Sequence, residues 1–211
     1  MHHPCRFGNY SLIVIAFLMV SLDGSAQVRA RPNAAAGAAA ASNPVLIREL
    51  TGFGKRGLVQ TPGYTTTISP GRAVAGVWAE MLVQFDSDPE WIDEISFQYY
   101  VLLHDRKTKE FMFLKGLVAH VDVARGRGHL SAMYVRPSVL VRYGEVVAVA
   151  VEAVIKGVTV GVKTDGKLPQ GQALPEDWWK TTKLVPRDGY LLNRSQTPFA
   201  FVNYDDYAVI K

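Results

Sequence analysis

His120, Asp122 and His129 are the densest group of metal-competent side chains in the chain, all within one ten-residue window. Two imidazoles and a carboxylate suit a borderline metal such as zinc, provided that one or two further ligands and a supporting shell complete the site. Arg125-Gly-Arg-Gly128, between them, reads as the tip of a hairpin. With Ala124 paired to His129, that hairpin sets Asp122 opposite Ser131 and His120 opposite Met133 on one outer face. No HExxH or similar spacing accompanies the trio, and a solvated strand face explains all three residues. No bound metal is therefore expected, and no cofactor is implied.

Other chemistries find less support. Beyond the first few residues the histidines are His104, His120 and His129, and no Gly-x-Ser-x-Gly elbow accompanies them. The acid pairs Asp86/Asp88, Glu176/Asp177 and Asp205/Asp206 fall in expected turns, whereas a glycosidase needs two carboxylates facing each other across a cleft. We expect no enzyme and no catalytic residues. Trp91, Trp178 and Trp179 have the aromatic faces that stack on sugar rings, which makes a glycan-binding module the alternative function. Against it, Trp178 or Trp179 could plug one end of a β-domain, as large aromatics often do. The arginines of Arg125–Gly128 suit phosphate or sulfate, although such a tip is more often simply exposed.

The elements that must carry these residues are mostly strands. Glu145–Lys163 is rich in valine, with both parities apolar or small. Such a run is a strand covered on both faces or a buried helix, and β-branching favours the strand. Gly157 and Gly161 interrupt it as a bend or bulge would, and a helix capped at Gly157 is the alternative. Ahead of it, Val45–Leu50 is a first strand. Leu58–Ile68 holds edge segments split at Pro62-Gly63. From Ala73 to Phe85, apolar residues alternate with polar ones as in a half-buried strand. Asp86-Ser-Asp-Pro89 breaks that run, and Ile95–Leu103 alternates again. After a charged turn at Asp105–Lys109 come Phe111–Leu114, Leu117–Val123 and His129–Val135. Val139–Val141 adds a short piece, Pro175–Lys180 one helical turn, and Tyr190–Val202 one or two last strands. Eight or more strands with almost no helix predict a mainly β fold, an antiparallel β-sandwich of immunoglobulin-like type, with a β-barrel as the alternative.

The start of the chain differs in kind. Arg6, the apolar block Leu12–Val20 and Ser21-Leu-Asp-Gly-Ser-Ala26 have the three parts of a signal peptide, cleaved after Ala26. The apolar block is shorter than the roughly 20 residues that span a bilayer. Residues 27–44 are Ala-rich with Pro32, Gly37 and Pro44, and read as a flexible linker, so the domain is placed at 45–211. The sole cysteine, Cys5, lies in the segment to be removed. An exported chain without thiols has neither disulfides nor thiol catalysis and must be held by its core. Cleavage removes one base and one acid, so the net charge stays at +4, and Arg29 and Arg31 of the linker carry part of it. So small a balance does not predict nucleic-acid binding. The expected location is periplasm, outer-membrane surface or outside the cell.

Asp177-Trp-Trp-Lys-Thr-Thr-Lys-Leu-Val-Pro-Arg-Asp-Gly-Tyr-Leu-Leu-Asn-Arg-Ser-Gln-Thr-Pro-Phe-Ala-Phe-Val202, together with the Ala-rich start, resembles small immunoglobulin-like proteins encoded beside a type IV pilus-like apparatus in mucus-dwelling Gram-negative gut bacteria. The resemblance implies a fold similar to archaeal pilins and a role in the envelope or pilus. Gly8-Asn-Tyr-Ser-Leu-Ile13 lacks the glutamate and the long apolar helix of a prepilin, so an accessory interaction protein fits better than a polymerising pilin. Its expected partners are envelope or pilus proteins, with self-association and glycan as further possibilities. No site residues follow from the resemblance.

Overall fold

Two of the strands are longer than the body they belong to. In the computed structural model, which describes residues 43–63 and 76–211, β3 runs from Val77 to His104 and β4 from Phe111 to Val135. A straight strand of 28 residues would span about 90 Å, whereas a chain of this size packs to a radius of gyration of about 15 Å. The β3–β4 ribbon therefore has to fold over on itself. Phe85 and Phe97 lie twelve positions apart on β3, about 40 Å if extended, yet their ring centroids are 4.8 Å apart.

The fold-over sits where the sequence predicts a strand break at Asp86–Pro89 and a hairpin tip at Arg125–Gly128, and it is neither. Asp86–Pro89 does not end a strand, and Arg125–Gly128 is not a hairpin tip. The two segments lie opposite each other in one continuous antiparallel ladder whose register shifts twice. Phe85 pairs with His129, Ser87 with Gly126 and Trp91 with Ala124. Each strand thus carries extra residues at a different step, which bends both without breaking the pairing. Gly128 makes the local left-handed geometry possible at φ 79°. The true reversal is the turn at 105–110, where Asp105 accepts the backbone N–H of Lys107 at 2.8 Å.

The rest is built on this ribbon. β1 (Val45–Thr51) and β2 (Leu58–Gln60) pair with the half of β3 before the bend. β5 (Glu145–Ile155) pairs with the half after it, from Ser96 to His104. The valine-rich run is thus a strand, but it ends sooner than predicted. Lys156 (φ 49°) and Gly157 (φ 79°) form a two-residue reversal of the kind that joins tight hairpins, and β6 (Val158–Gly166) returns along β5. β7 (Leu191–Asn193) lies on the outer edge of β4. Val139–Val141, expected as a strand piece, belongs to a short helix, α1 (Pro137–Tyr143). Proline opens it and Gly144 closes it, with the Gly144 N–H donating to Leu140 O. A second helix of a single turn, α2, spans the four residues Trp178–Thr181, against seven in α1.

The sheet order is β6-β5-β3-β4-β7, with β1 and β2 also on β3. The path ends at β6 and β7 without closing, so the fold is a mainly β, antiparallel sandwich and not a barrel. Its core joins Met81, Val83 and Phe85 from one half of β3 to Ile95, Phe97 and Tyr99 from the other, with Val149 and Val151 of β5. Each such side chain contributes about 1.5–3 kcal/mol on burial. The expected signal peptide (1–26), nearly all of the linker, and the segment 64–75 lie outside the described residues.

Candidate functional site

The bend decides where His120 goes. On a straight strand it would sit about 36 Å from Ser131, but the fold-over brings His120 Nε2 to 2.8 Å from Ser131 Oγ. His120 Nδ1 lies 3.1 Å from the carbonyl oxygen of Ala208, which can only accept, so Nδ1 carries the proton. The Ser131 hydroxyl then donates to Nε2. The Tyr99 hydroxyl completes the group, 3.0 Å from Ser131 O and 3.1 Å from Ser131 Oγ. Burial drives the Tyr99 hydroxyl well above its ordinary range and holds the His120 ring below its own. The chain end seals the group: Val121 N donates to Val209 O and Lys211 N to Ala119 O.

A serine hydroxyl donating to a histidine is the first half of a nucleophile–base pair. Attack also requires a substrate atom about 3–3.5 Å from the oxygen. Ser131 is 0% and His120 1% exposed, so the pair is shut beneath the terminal segment. As it stands, the arrangement is a satisfied polar network that fixes how the two layers meet. Removing the hydroxyl by Ser131→Ala leaves a buried ring nitrogen without its donor. We expect a loss of about 1–3 kcal/mol in chemical denaturation. The lowered folded-state pKa of His120 also sets a pH dependence. Its contribution is fully present above the ordinary value of 6.5 and declines as pH falls from there toward the folded value. His120→Gln should flatten that limb of a stability–pH profile.

The remaining metal candidates are not brought together. Asp122 is exposed at a left-handed position (φ 53°), and His129 lies at the bend, with Nε2 3.2 Å from Ser87 Oγ. The predicted facing of Asp122 with Ser131 and of His120 with Met133 fails because the hairpin it assumed is absent. Among the described residues no cluster of three potential ligands occurs. The arginines of the bend have structural work: Arg125 Nε donates to Asp88 O, and Arg127 adds its charge near Asp86. Asp86 is paired with Arg48 at 2.7 Å. The acid pairs sit on three separate elements: Asp86/Asp88 at the bend, Glu176/Asp177 ahead of α2, and Asp205/Asp206 in a single turn near the chain end.

The three tryptophans also separate. Trp178 and Trp179 are 5% and 6% exposed and pack on Leu102, Phe113, Val147 and Ala150, so they plug the outer side of β3–β5. Trp91 is 61% exposed and lines a groove of about 440 Å³ with Pro89, Val154 and Ile155. Beneath the buried pair lies a charged residue that the sequence reading passed over. The Glu152 carboxylate accepts Trp179 Nε1 at 3.0 Å and the Tyr100 hydroxyl at 3.2 Å, and pairs with Lys180 at 2.9 Å. Burial alone would raise its pKa, but these partners outweigh it and hold the carboxyl below its usual range. Burial and the Glu152 charge push Tyr100 up to about 12. The signal was present: apart from Glu145 at its first position, Glu152 is the one acid of an otherwise apolar strand.

Accessible surface of mixed character is found instead at the far tip of the ribbon. A cleft of about 1110 Å³ opens between the 105–110 turn, the start of β5 and residues 167–172. Leu102, Phe111, Val146 and Leu168 form its apolar wall, and Arg106, Lys109 and Lys167 its rim. Arg106 is bound bidentate to Glu145, at 2.6 and 2.9 Å. Lys109 and Lys167 have no ion pair among the described residues.

The open antiparallel sandwich defines the class: a mainly β protein. Residues 55–211 match a protein-family model, and the chain belongs to that family. A crystal structure of a protein from Akkermansia muciniphila is similar, with a TM-score of 0.63 and 22% identity, covering 79% of this chain and 92% of that one. At that identity the likeness carries the fold. No curated protein matches.

Proposed function

We propose that this is an exported, non-enzymatic interaction protein of the cell envelope, immunoglobulin-like and associated with a type IV pilus-like apparatus. The observation that carries this reading is the placement of the reactive groups. Ser131 and His120 are closed beneath the chain end, while Trp91 and the basic-rimmed cleft remain open to contact. The similar fold in a protein from a mucus-dwelling gut bacterium supports it, as do the export features of the first 26 residues. Sheet edges and end loops would grip the partner.

Fractionation of native cells followed by affinity capture from the envelope tests the proposal. The expected result is a chain processed after Ala26, found outside the cytoplasm, that co-purifies with an envelope or pilus protein. An unprocessed cytoplasmic chain would overturn it. A glycan-binding role through Trp91, Trp178 and Trp179 is the second reading, and the 61% exposure of Trp91 favours it. Binding to mucin glycans that Trp91→Ala abolishes would establish that role instead.

A further inference from the structure

Residues 207–211 cover the core without forming a strand of the sheet. They meet β4 through two isolated bridges, Tyr207 to Leu130 and Ile210 to His120, which lie on opposite sides of the bend. None of these residues is itself buried, so little apolar contact holds the segment down. Side chains fasten it at three points. The Arg194 guanidinium lies over the Tyr207 ring, 3.9 Å from its centroid. Lys211 Nζ reaches Glu94 at 2.6 Å. Between these, His120 Nδ1–H donates to Ala208 O from beneath. Of the three fastenings, His120 is the one whose charge changes near neutral pH.

That fastening suits one protonation state. With Nδ1 donating to Ala208, Nε2 accepts from the Ser131 hydroxyl, and a second ring proton would point straight at that donor. It would also set a full charge where no carboxylate meets it. From β3 the ring faces Phe97 and the Tyr99 hydroxyl, from β4 Ser131, and from the covering segment the Ala208 carbonyl. Glu94, opposite Val121 in register, is already tied to Lys211. Glu80 accepts the Tyr134 hydroxyl at 2.7 Å, and Asp122, two positions along β4, is exposed. Burial outweighs the carbonyls of the segment, which favour the charged ring, and holds the imidazole below its ordinary range. Lifting the cover is the shortest way to bring water to that ring.

We propose that residues 207–211 are an acid-released strap: a proton taken up by His120 is accommodated by lifting the strap, which bares the edge of β4 at Ala119 and Val121. The closed strap keeps a neutral ring and the open one leaves it free to protonate, so the open population rises as pH falls below 6.5. This device goes beyond the interaction reading above and holds whether or not the chain is exported.

Native-state hydrogen exchange of the isotope-labelled full chain, followed by NMR in low urea over a pH series, tests the strap. When closed, it protects the amide of Lys211, which donates to Ala119 O, and that of Val121, which donates to Val209 O. Both should be about 100-fold or more less protected than Val101 and Val149 at the sheet centre, and insensitive to urea, since a local opening exposes little surface. Their protection should fall about tenfold from about pH 7.5 to about 5.5. Glu94→Gln removes the other fastening that acid could neutralise and should keep that slope. His120→Gln should abolish it. Should His120→Gln fail to fold, the wild-type and Glu94→Gln profiles decide alone. Three results would overturn the proposal: a flat pH profile in wild type, a slope that survives His120→Gln, or strap amides as protected and as urea-sensitive as the sheet centre. The last would mean that the segment leaves only when the whole domain unfolds.

Discussion

Replacing Trp179 with alanine should cost about 3–5 kcal/mol of folding stability. The indole is nearly fully buried against Tyr100 and Trp178, so its loss leaves a cavity in the layer over β3 and β5. It also removes the N–H that Glu152 accepts at 3.0 Å, leaving a carboxylate set into an apolar strand with one donor fewer. Trp179→Phe should recover most of the packing and none of the hydrogen bond. The difference between the two variants then measures the packing, and what Trp179→Phe still loses against wild type measures the bond, at about 1.5–3 kcal/mol for a charged acceptor. Glu152 also gives the region an acid limit. Its folded-state pKa is lowered, so its contribution is present above the ordinary value of 4.5 and disappears as pH falls through the folded value. The limb set by Glu152 begins below 4.5 and the one set by His120 below 6.5, and urea denaturation of wild type and His120→Gln at several pH values assigns each.

Gly144→Ala is expected to be as damaging, for a different reason. Gly144 closes α1 and opens β5 at φ 92° and ψ −158°, a region that residues with a side chain essentially never occupy. A Cβ at this position would lie 2.0 Å from the carbonyl oxygen of His104, at the end of β3. Neither group can move without disturbing the β3–β5 pairing, which begins at His104 and Glu145. Backbone strain alone costs about 1–3 kcal/mol, and the clash adds to it. A loss above about 3 kcal/mol in thermal and chemical denaturation is the expected outcome. Gly157→Ala, at a left-handed position with open space around it, should cost much less, since only the conformational term applies.

How much of this was readable beforehand depends on whether a feature is set locally or across the sheet. The alternation at 77–85, 95–103 and 129–135 marks real strand, because a half-buried face writes a period of two into the sequence. The bend was not readable. Asp, Pro and Gly at 86–89 and 125–128 report only that the backbone there is irregular. Whether irregular backbone reverses the chain or bulges it depends on the partner strand, and the two segments turn out to face each other. Lys156-Gly157 did hold a local hairpin signal, hidden in a run of valines that reads as one strand. The same division explains the sites. Trp178 and Trp179 as a plug follows from the size and apolarity of the ring. The joining of His120 to Ser131 and Tyr99 follows from the fold-over, which no spacing along the chain encodes. The open groups, Trp91 and the cleft lysines, are ordinary surface residues in sequence. They acquire meaning only from where the ribbon ends.

If this protein acts by surface contact outside the cytoplasm, its exposed ends should touch protein there. A photocrosslinking amino acid placed at position 91, and separately at position 109, reads those contacts in living cells. Discrete covalent adducts with an envelope or pilus protein, or with a second copy, are expected from both positions. No adduct from either, with the protein retained in the cytoplasm, would contradict it.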